Sequence, residues 1–187
     1  MIRLAVLISG RGSNMIRLAK AIKDYEIAAK ITVVISNRRC TGITLAQNCG
    51  LATKVIKRKD FNTQAEHEAA IAAAIHYHRS TYVFLAGYMA ILSGDFVNQF
   101  AGRIINIHPS LLPKYKGLNT HKRALMNKEK YSGCTVHYVN SRLDSGKIIL
   151  QKRVKISKNE TEKTLTRKIL IQEHKLYPKA ISKIFNL

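Results

Sequence analysis

The stretch Arg3-Leu4-Ala5-Val6-Leu7-Ile8-Ser9-Gly10-Arg11-Gly12-Ser13-Asn14 decides the fold. Its first half is a short apolar run, of the kind that forms a strand buried on both faces. Its second half is a loop of small residues. From Asn14 the apolar period changes, and Met15, Leu18, Ala19 and Ile22 fall on one side of a helix. Strand, small-residue loop and helix in that order open a parallel α/β unit. The free N–H groups at a helix N-terminus, together with the helix dipole, attract an anion, and glycines let it approach the backbone. Spacing alone also allows a tight turn with no ligand. A dinucleotide site is disfavoured. It would place a third glycine at Met15 and an acid after the second strand, where Ser36 and Asn37 stand, although Arg38-Arg39 could suit a 2′-phosphate. A monophosphate fits better.

Outward from this unit, strand-like and helix-like segments alternate. Ile31–Ile35, Thr53–Ile56, Tyr82–Ala86 and Arg103–Ile107 read as strands. Ile43–Asn48, closed by Gly50, and Gln64–His78 read as helices. After residue 130, Cys134–Val139 and Ile148–Ile156 are two strands with a short link, Asn140–Lys147, which implies antiparallel addition. Thr161–Phe185 is helical, with Leu165, Ile169, Leu176, Ala180 and Ile184 on its apolar side, and Pro178 is expected to kink or break it near Tyr177. The expected fold is an open, mostly parallel, Rossmann-like sheet with helices on both faces and an antiparallel C-terminal addition. No repeat or linker divides residues 1–187, so one domain is expected.

Composition narrows the function. The 187 residues carry 32 Lys+Arg against 11 Asp+Glu, a net charge of +21. The excess runs along the whole chain and is not confined to a tail. It leaves two readings open, a nucleic-acid surface or a site for anionic small molecules. No apolar run is long enough to span a membrane. Leu4 to Ile8 is too brief for a signal peptide and is better explained as a strand. Cys40, Cys49 and Cys134 lack metal or disulfide spacing, so no metal is expected and a reducing, cytoplasmic location is.

Three clusters could carry chemistry. The first is the loop Gly12-Ser13-Asn14. The second is Asn106-Ile107-His108-Pro109-Ser110-Leu111-Leu112-Pro113. Asn106 and His108 are two apart on a strand and so face one way, at the strand end where open α/β sheets place ligands. An amide donor can stabilise an oxyanion, and an imidazole can move a proton. A His before a Pro can equally be a buried hydrogen-bonder. The third is Asp144, in the link between the last two strands. It is either a turn residue or a partner for His108. His137 is a weaker candidate. His67 and His76-Tyr77-His78 read as a solvated helix face. The bond Leu112–Pro113 can be cis, and the sequence does not choose.

These clusters, with Leu85-Ala86-Gly87-Tyr88-Met89-Ala90-Ile91-Leu92, Tyr115-x-Gly117, Gly133-x-Thr135-Val136-His137, Leu143-Asp144-x-Gly146 and Gln172-Glu173-His174-x-x-Tyr177-Pro178, resemble the phosphoribosylglycinamide formyltransferases. The Asn-x-His…Asp set is common to the wider formyltetrahydrofolate-dependent formyltransferases. The resemblance runs from about residue 2 to residue 185. It implies transfer of a formyl group from the co-substrate 10-formyltetrahydrofolate to the amine of 5-phosphoribosylglycinamide, a step of purine biosynthesis. It implies Asn106, His108 and Asp144 as catalytic residues, with Thr135 and His137 in support. Gly12, Ser13 and Asn14 would hold the substrate phosphate and Glu173 the ribose hydroxyls. The folate pocket would comprise Met89, Ala90, Ile91, Leu92, Asn106, Asn140, Ser141, Arg142, Leu143 and Asp144.

The chain departs from that pattern. Gln64 and Ala90 stand where the family often carries arginine near the folate's glutamate tail, with Lys57, Arg58 and Lys59 as candidate replacements. Asn119, Ser145 and Leu170 replace a usual His, Gly and polar residue. Two relatives, methionyl-tRNA formyltransferase and formyltetrahydrofolate deformylase, would be expected to bring an extra C-terminal or N-terminal domain. A non-enzymatic nucleic-acid binder would interleave aromatics with its basic residues, whereas Trp is absent and 20 of the 32 cations are Lys. No nucleic-acid partner is therefore expected, and the choice between monomer and homodimer is open.

Overall fold

In the computed structural model, which describes residues 1–185, the N-terminal strand β1 (Ile2–Ile8) lies near the middle of a seven-stranded sheet. Leu4 to Ile8 are fully buried, because helices cover both faces. The chain continues through α1 (Ser13–Asp24), β2 (Ala29–Ser36), α2 (Thr41–Asn48), β3 (Thr53–Val55), α3 (Gln64–Tyr77), β4 (Tyr82–Leu85), α4 (Gly94–Gln99), β5 (Ile104–His108), α5 (Thr120–Met126), β6 (Tyr131–Tyr138), β7 (Ile148–Lys155) and α6 (Glu162–Phe185). The strand order is β3-β2-β1-β4-β5-β6-β7. The first five strands are parallel, and β6 and β7 add antiparallel, as the sequence pattern predicts.

Two apolar layers sandwich the sheet. One joins α1, α2 and α6 to the sheet through Met15, Leu18, Ile43, Ile169 and Tyr177. The other joins α3 and α4 through Ile71, Ile75 and Phe96. Along β5, Ile105 and Ile107 belong to the first layer and Ile104 to the second. Side chains alternate along a strand, so Asn106 and His108 project on the α3/α4 side, at the C-terminal end of β5. Here the second layer stops, and polar residues take the place of core.

Three expectations need correction. The α6 helix runs unbroken through Pro178. Burial of Tyr177 and Ile181 in the apolar layer on either side of the buried Pro178 holds the turn that the missing N–H weakens. His67 is not on a solvated face. It is 2% exposed, and its Nε2 meets the Ile56 carbonyl at 2.9 Å beside the Phe61 ring. His76 is exposed, as expected. Two short helices, α4 and α5, are absent from the sequence reading. At six and seven residues they carry too few apolar repeats for a period to show.

Glycine matters most where β1 hands over to α1. Gly12 caps α1 in the left-handed region, with φ 71°. A Cβ on Gly42 would sit 2.6 Å from the Gly10 carbonyl oxygen, which accepts the Gly42 N–H at 3.0 Å. The loop after β1 therefore rests directly on the start of α2. This contact fixes the path of the loop.

Candidate active site

The Gly12–Asn14 turn opens α1 with no side chain capping its first N–H groups, so they remain available to an anion. The Asn14 side chain turns inward instead. Its Nδ2 donates to Glu173 Oε2 on α6 at 2.7 Å, and its Oδ1 is buried without a partner. Glu173 is 7% exposed. Burial pushes its carboxyl up to about 7, against the opposing pull of the Asn14 hydrogen bond. Behind it, the buried Tyr177 hydroxyl bonds the Leu85 and Ile105 carbonyls at 3.0 and 3.1 Å, tying α6 to β4 and β5. Arg38, considered above for a 2′-phosphate, spends its Nε on the Ser9 carbonyl at 2.6 Å.

At the end of β5, His108 Nδ1 lies 3.4 Å from Asp144 Oδ2, and His108 Nε2 lies 2.9 Å from the Tyr115 carbonyl. A carbonyl can only accept, so the Nε2 that meets it is the donor. Asp144 adopts a left-handed φ of 43°, which Asp tolerates. It also accepts the Gly117 N–H at 2.8 Å. The carboxylate is thus a partner of His108 as well as a turn residue.

His137 pairs with Asn106 across the β5–β6 ladder. Its Nδ1 donates to the Tyr138 carbonyl at 2.8 Å, which leaves Nε2 bare to accept the Asn106 amide at 3.3 Å. Burial lowers the His137 pKa, with the Tyr138 hydrogen bond and the Asp144 charge opposing it. A neutral ring suits this acceptor role. The second hydrogen of Asn106 Nδ2 then remains for a ligand. Thr135 is fully buried. It donates to the Ser110 carbonyl at 2.6 Å and accepts from Leu112 N–H at 3.1 Å, pinning the loop after His108. The Leu112–Pro113 bond in that loop is cis.

Two exposed segments border these groups. Met89 and Ile91 are 66% and 71% exposed, and Leu143 is 51% exposed. Exposed apolar side chains of this kind mark an interaction surface. In the 140–144 link Asn140 Oδ1 accepts the Arg142 N–H, and Ser141 lies near Gly94 at the start of α4. Gln64, one of the departures, is part of the scaffold. Its Nε2 donates to Glu68 Oε1 and to the Ile91 carbonyl, at 2.8 and 2.9 Å. The buried Glu68 also accepts from Ser93. Its charge adds to burial in pushing the Tyr88 hydroxyl up to about 12.

The sequence reading singles out Asn106, His108, His137 and Asp144, and the fold brings all four together. Glu173 and Asn14 meet on the other side of the sheet, between α1 and α6. The reading gives no role to Tyr115 or Gly117, whose backbone groups hold His108 and Asp144, nor to Gln151, which donates to the Leu112 carbonyl and Thr135 at 2.7 and 2.9 Å. Backbone contacts leave no residue-type signal. Only the Tyr115-x-Gly117 spacing hinted at the first two.

The chain belongs to the formyl transferase family. A sequence model of that family, described as formyl transferase, matches residues 2–181. Within the family it is similar to phosphoribosylglycinamide formyltransferases. It is 39% identical over 180 residues to that enzyme of Escherichia coli (strain K12), covering 96% of this chain and 85% of the relative. The structure of the Brucella melitensis phosphoribosylglycinamide formyltransferase superposes with a TM-score of 0.92 at 44% identity, covering 98% of this chain and 95% of the other. The human trifunctional purine biosynthetic protein adenosine-3 is 41% identical over 180 residues, and the match spans only 18% of its length.

Proposed function

We propose that the chain is a phosphoribosylglycinamide formyltransferase, acting as one formyltransferase domain that passes the formyl group of 10-formyltetrahydrofolate to the amine of 5-phosphoribosylglycinamide. The observation that carries the reading is the joint placement of Asn106, His108 and Asp144 at the C-terminal end of β5. In this reading the uncapped Gly12–Asn14 turn holds the phosphate and Glu173 accepts from the ribose hydroxyls. The exposed Met89–Leu92 and Asn140–Asp144 segments receive the folate. The three cysteines are free thiols, which suits the reducing cytosol in which we place the enzyme.

The amine lone pair attacks the formyl carbon, forming a C–N bond and leaving a negative oxygen. The free Asn106 N–H donates to that oxygen, and His108, held beside Asp144 and the Tyr115 carbonyl, supplies an imidazole N–H next to it. Collapse restores the carbonyl and breaks the bond from carbon to the folate nitrogen. The proton lost by the attacking amine goes to that nitrogen, through water or through His108 once its Nε2–H leaves the Tyr115 carbonyl.

Purified protein, both substrates and chromatographic detection of the formylated ribonucleotide test this. Product is expected with the wild type, and His108→Ala should lower kcat by at least 10²-fold on the scale typical of a lost acid–base group. Release of formate with no formylated product would favour the deformylase reading instead. No helix among the described residues is long and apolar enough to cross a membrane.

A further inference from the structure

The segment Tyr115–Gly117 touches the candidate catalytic pair at two points and a neighbour of the pair at a third. The Tyr115 carbonyl accepts from His108 Nε2 at 2.9 Å. The Gly117 N–H donates to Asp144 Oδ2 at 2.8 Å. The Lys116 ammonium donates to Ser145 Oγ, next to Asp144. The backbone that makes these contacts is itself strained. Tyr115 has φ 56°, a left-handed conformation that a bulky residue adopts only when its surroundings enforce it.

What enforces it is on the far side of the segment. The Tyr115 hydroxyl donates to Glu129 Oε1 at 2.9 Å and accepts from Asn127 Nδ2 at 3.0 Å. The Arg123 guanidinium lies 5.2 Å from the Tyr115 ring centre and donates to the Lys116 carbonyl at 2.6 Å. Glu129 is held in turn by Lys114, 2.8 Å away. Arg123, Asn127 and Glu129 come from α5 and the stretch after it, Lys114 precedes Tyr115 in the chain, and none of these side chains hydrogen-bonds His108 or Asp144. The formyl-transfer reading gives them no part.

We propose that Tyr115 and Glu129 form an anchor that positions His108 and Asp144, with the Tyr115 hydroxyl fixing the backbone that orients the imidazole and the carboxylate. They are positioning residues, and the idea rests on the catalytic reading of His108. Freeing the hydroxyl lets the carbonyl drift, and a misplacement of about 1 Å at a catalytic group costs up to 10²-fold in rate.

The test compares Tyr115→Phe, Glu129→Ala, Glu129→Gln, the Tyr115→Phe/Glu129→Ala double variant and His108→Ala, all checked for an unchanged melting temperature within a few degrees. Tyr115→Phe and Glu129→Ala should each lower kcat about tenfold, with both KM values within twofold of wild type. Glu129→Gln, whose amide oxygen still accepts from the hydroxyl, should recover most of that loss. The double variant should be no slower than either single, because both remove one contact. The 15N signal of the His108 ring should shift in Tyr115→Phe. If both single variants keep kcat within twofold while His108→Ala is inactive, the anchor is wrong and the catalytic reading stands. Full turnover in His108→Ala removes both.

Discussion

Glu173→Gln separates stability from function most sharply. The carboxyl is 7% exposed and is raised from 4.5 to about 7, chiefly by burial. That difference makes the charged form about 3 kcal/mol worse in the folded chain than in the unfolded one, at 1.36 kcal/mol per tenfold change. Below pH 4.5 the group is protonated in both states and costs nothing. Between about pH 4.5 and 7 the folded protein binds more protons than the unfolded, so stability falls as pH rises, and above 7 the whole cost is present. The amide carries no such cost. Its oxygen still accepts from Asn14 Nδ2. The variant should therefore match wild type at pH 4 and exceed it by about 3 kcal/mol at pH 8. For a chain of this size that is roughly 6–12 °C in melting temperature. Urea unfolding of both proteins from pH 4 to 8 measures the difference directly. Its sign is opposite for function. A charged carboxylate accepts from two ribose hydroxyls, so the amide should raise KM for 5-phosphoribosylglycinamide several-fold. Parallel stability curves for the two proteins, or a less stable variant at pH 8, would mean that the buried Glu173 carboxyl carries no such cost.

Other perturbations follow from the same geometry. Asn106→Ala should lower kcat about 10²-fold, near 3 kcal/mol for one oxyanion donor, in steady-state assays with both substrates saturating. His137→Leu removes the acceptor that orients Asn106, and its kcat should fall about tenfold, whereas His137→Gln, which keeps an acceptor, should fall less. Equal rates in the two would detach His137 from Asn106. Gly42→Ala drives a methyl to 2.6 Å from the Gly10 carbonyl and 2.7 Å from Ile8 Cδ1. It should cost about 1–3 kcal/mol in chemical unfolding and raise KM for the phosphorylated substrate.

The layout of the fold is legible in the amino-acid order alone. The apolar run Leu4–Ile8, the Gly12 turn and the change of period at Met15 define the first strand–helix unit. The β-branched runs that follow define a mostly parallel sheet, because burial on both faces demands such runs. Asn106, His108 and Asp144 were also legible, since chemistry needs particular side chains. The +21 charge carried little, and its spread over the chain names no site. Tertiary structure decided everything that depends on backbone partners and on depth. It made His67 a buried residue and carried α6 through Pro178, because packing against the sheet outweighs local propensity. It brought His137 to Asn106 through a strand register that pattern alone does not fix. It gave Glu173 a carboxyl near neutrality, because a buried charge is costly wherever only one amide answers it. It set His108 between a carboxylate and the Tyr115 carbonyl, and only the folded chain brings those two acceptors to one ring.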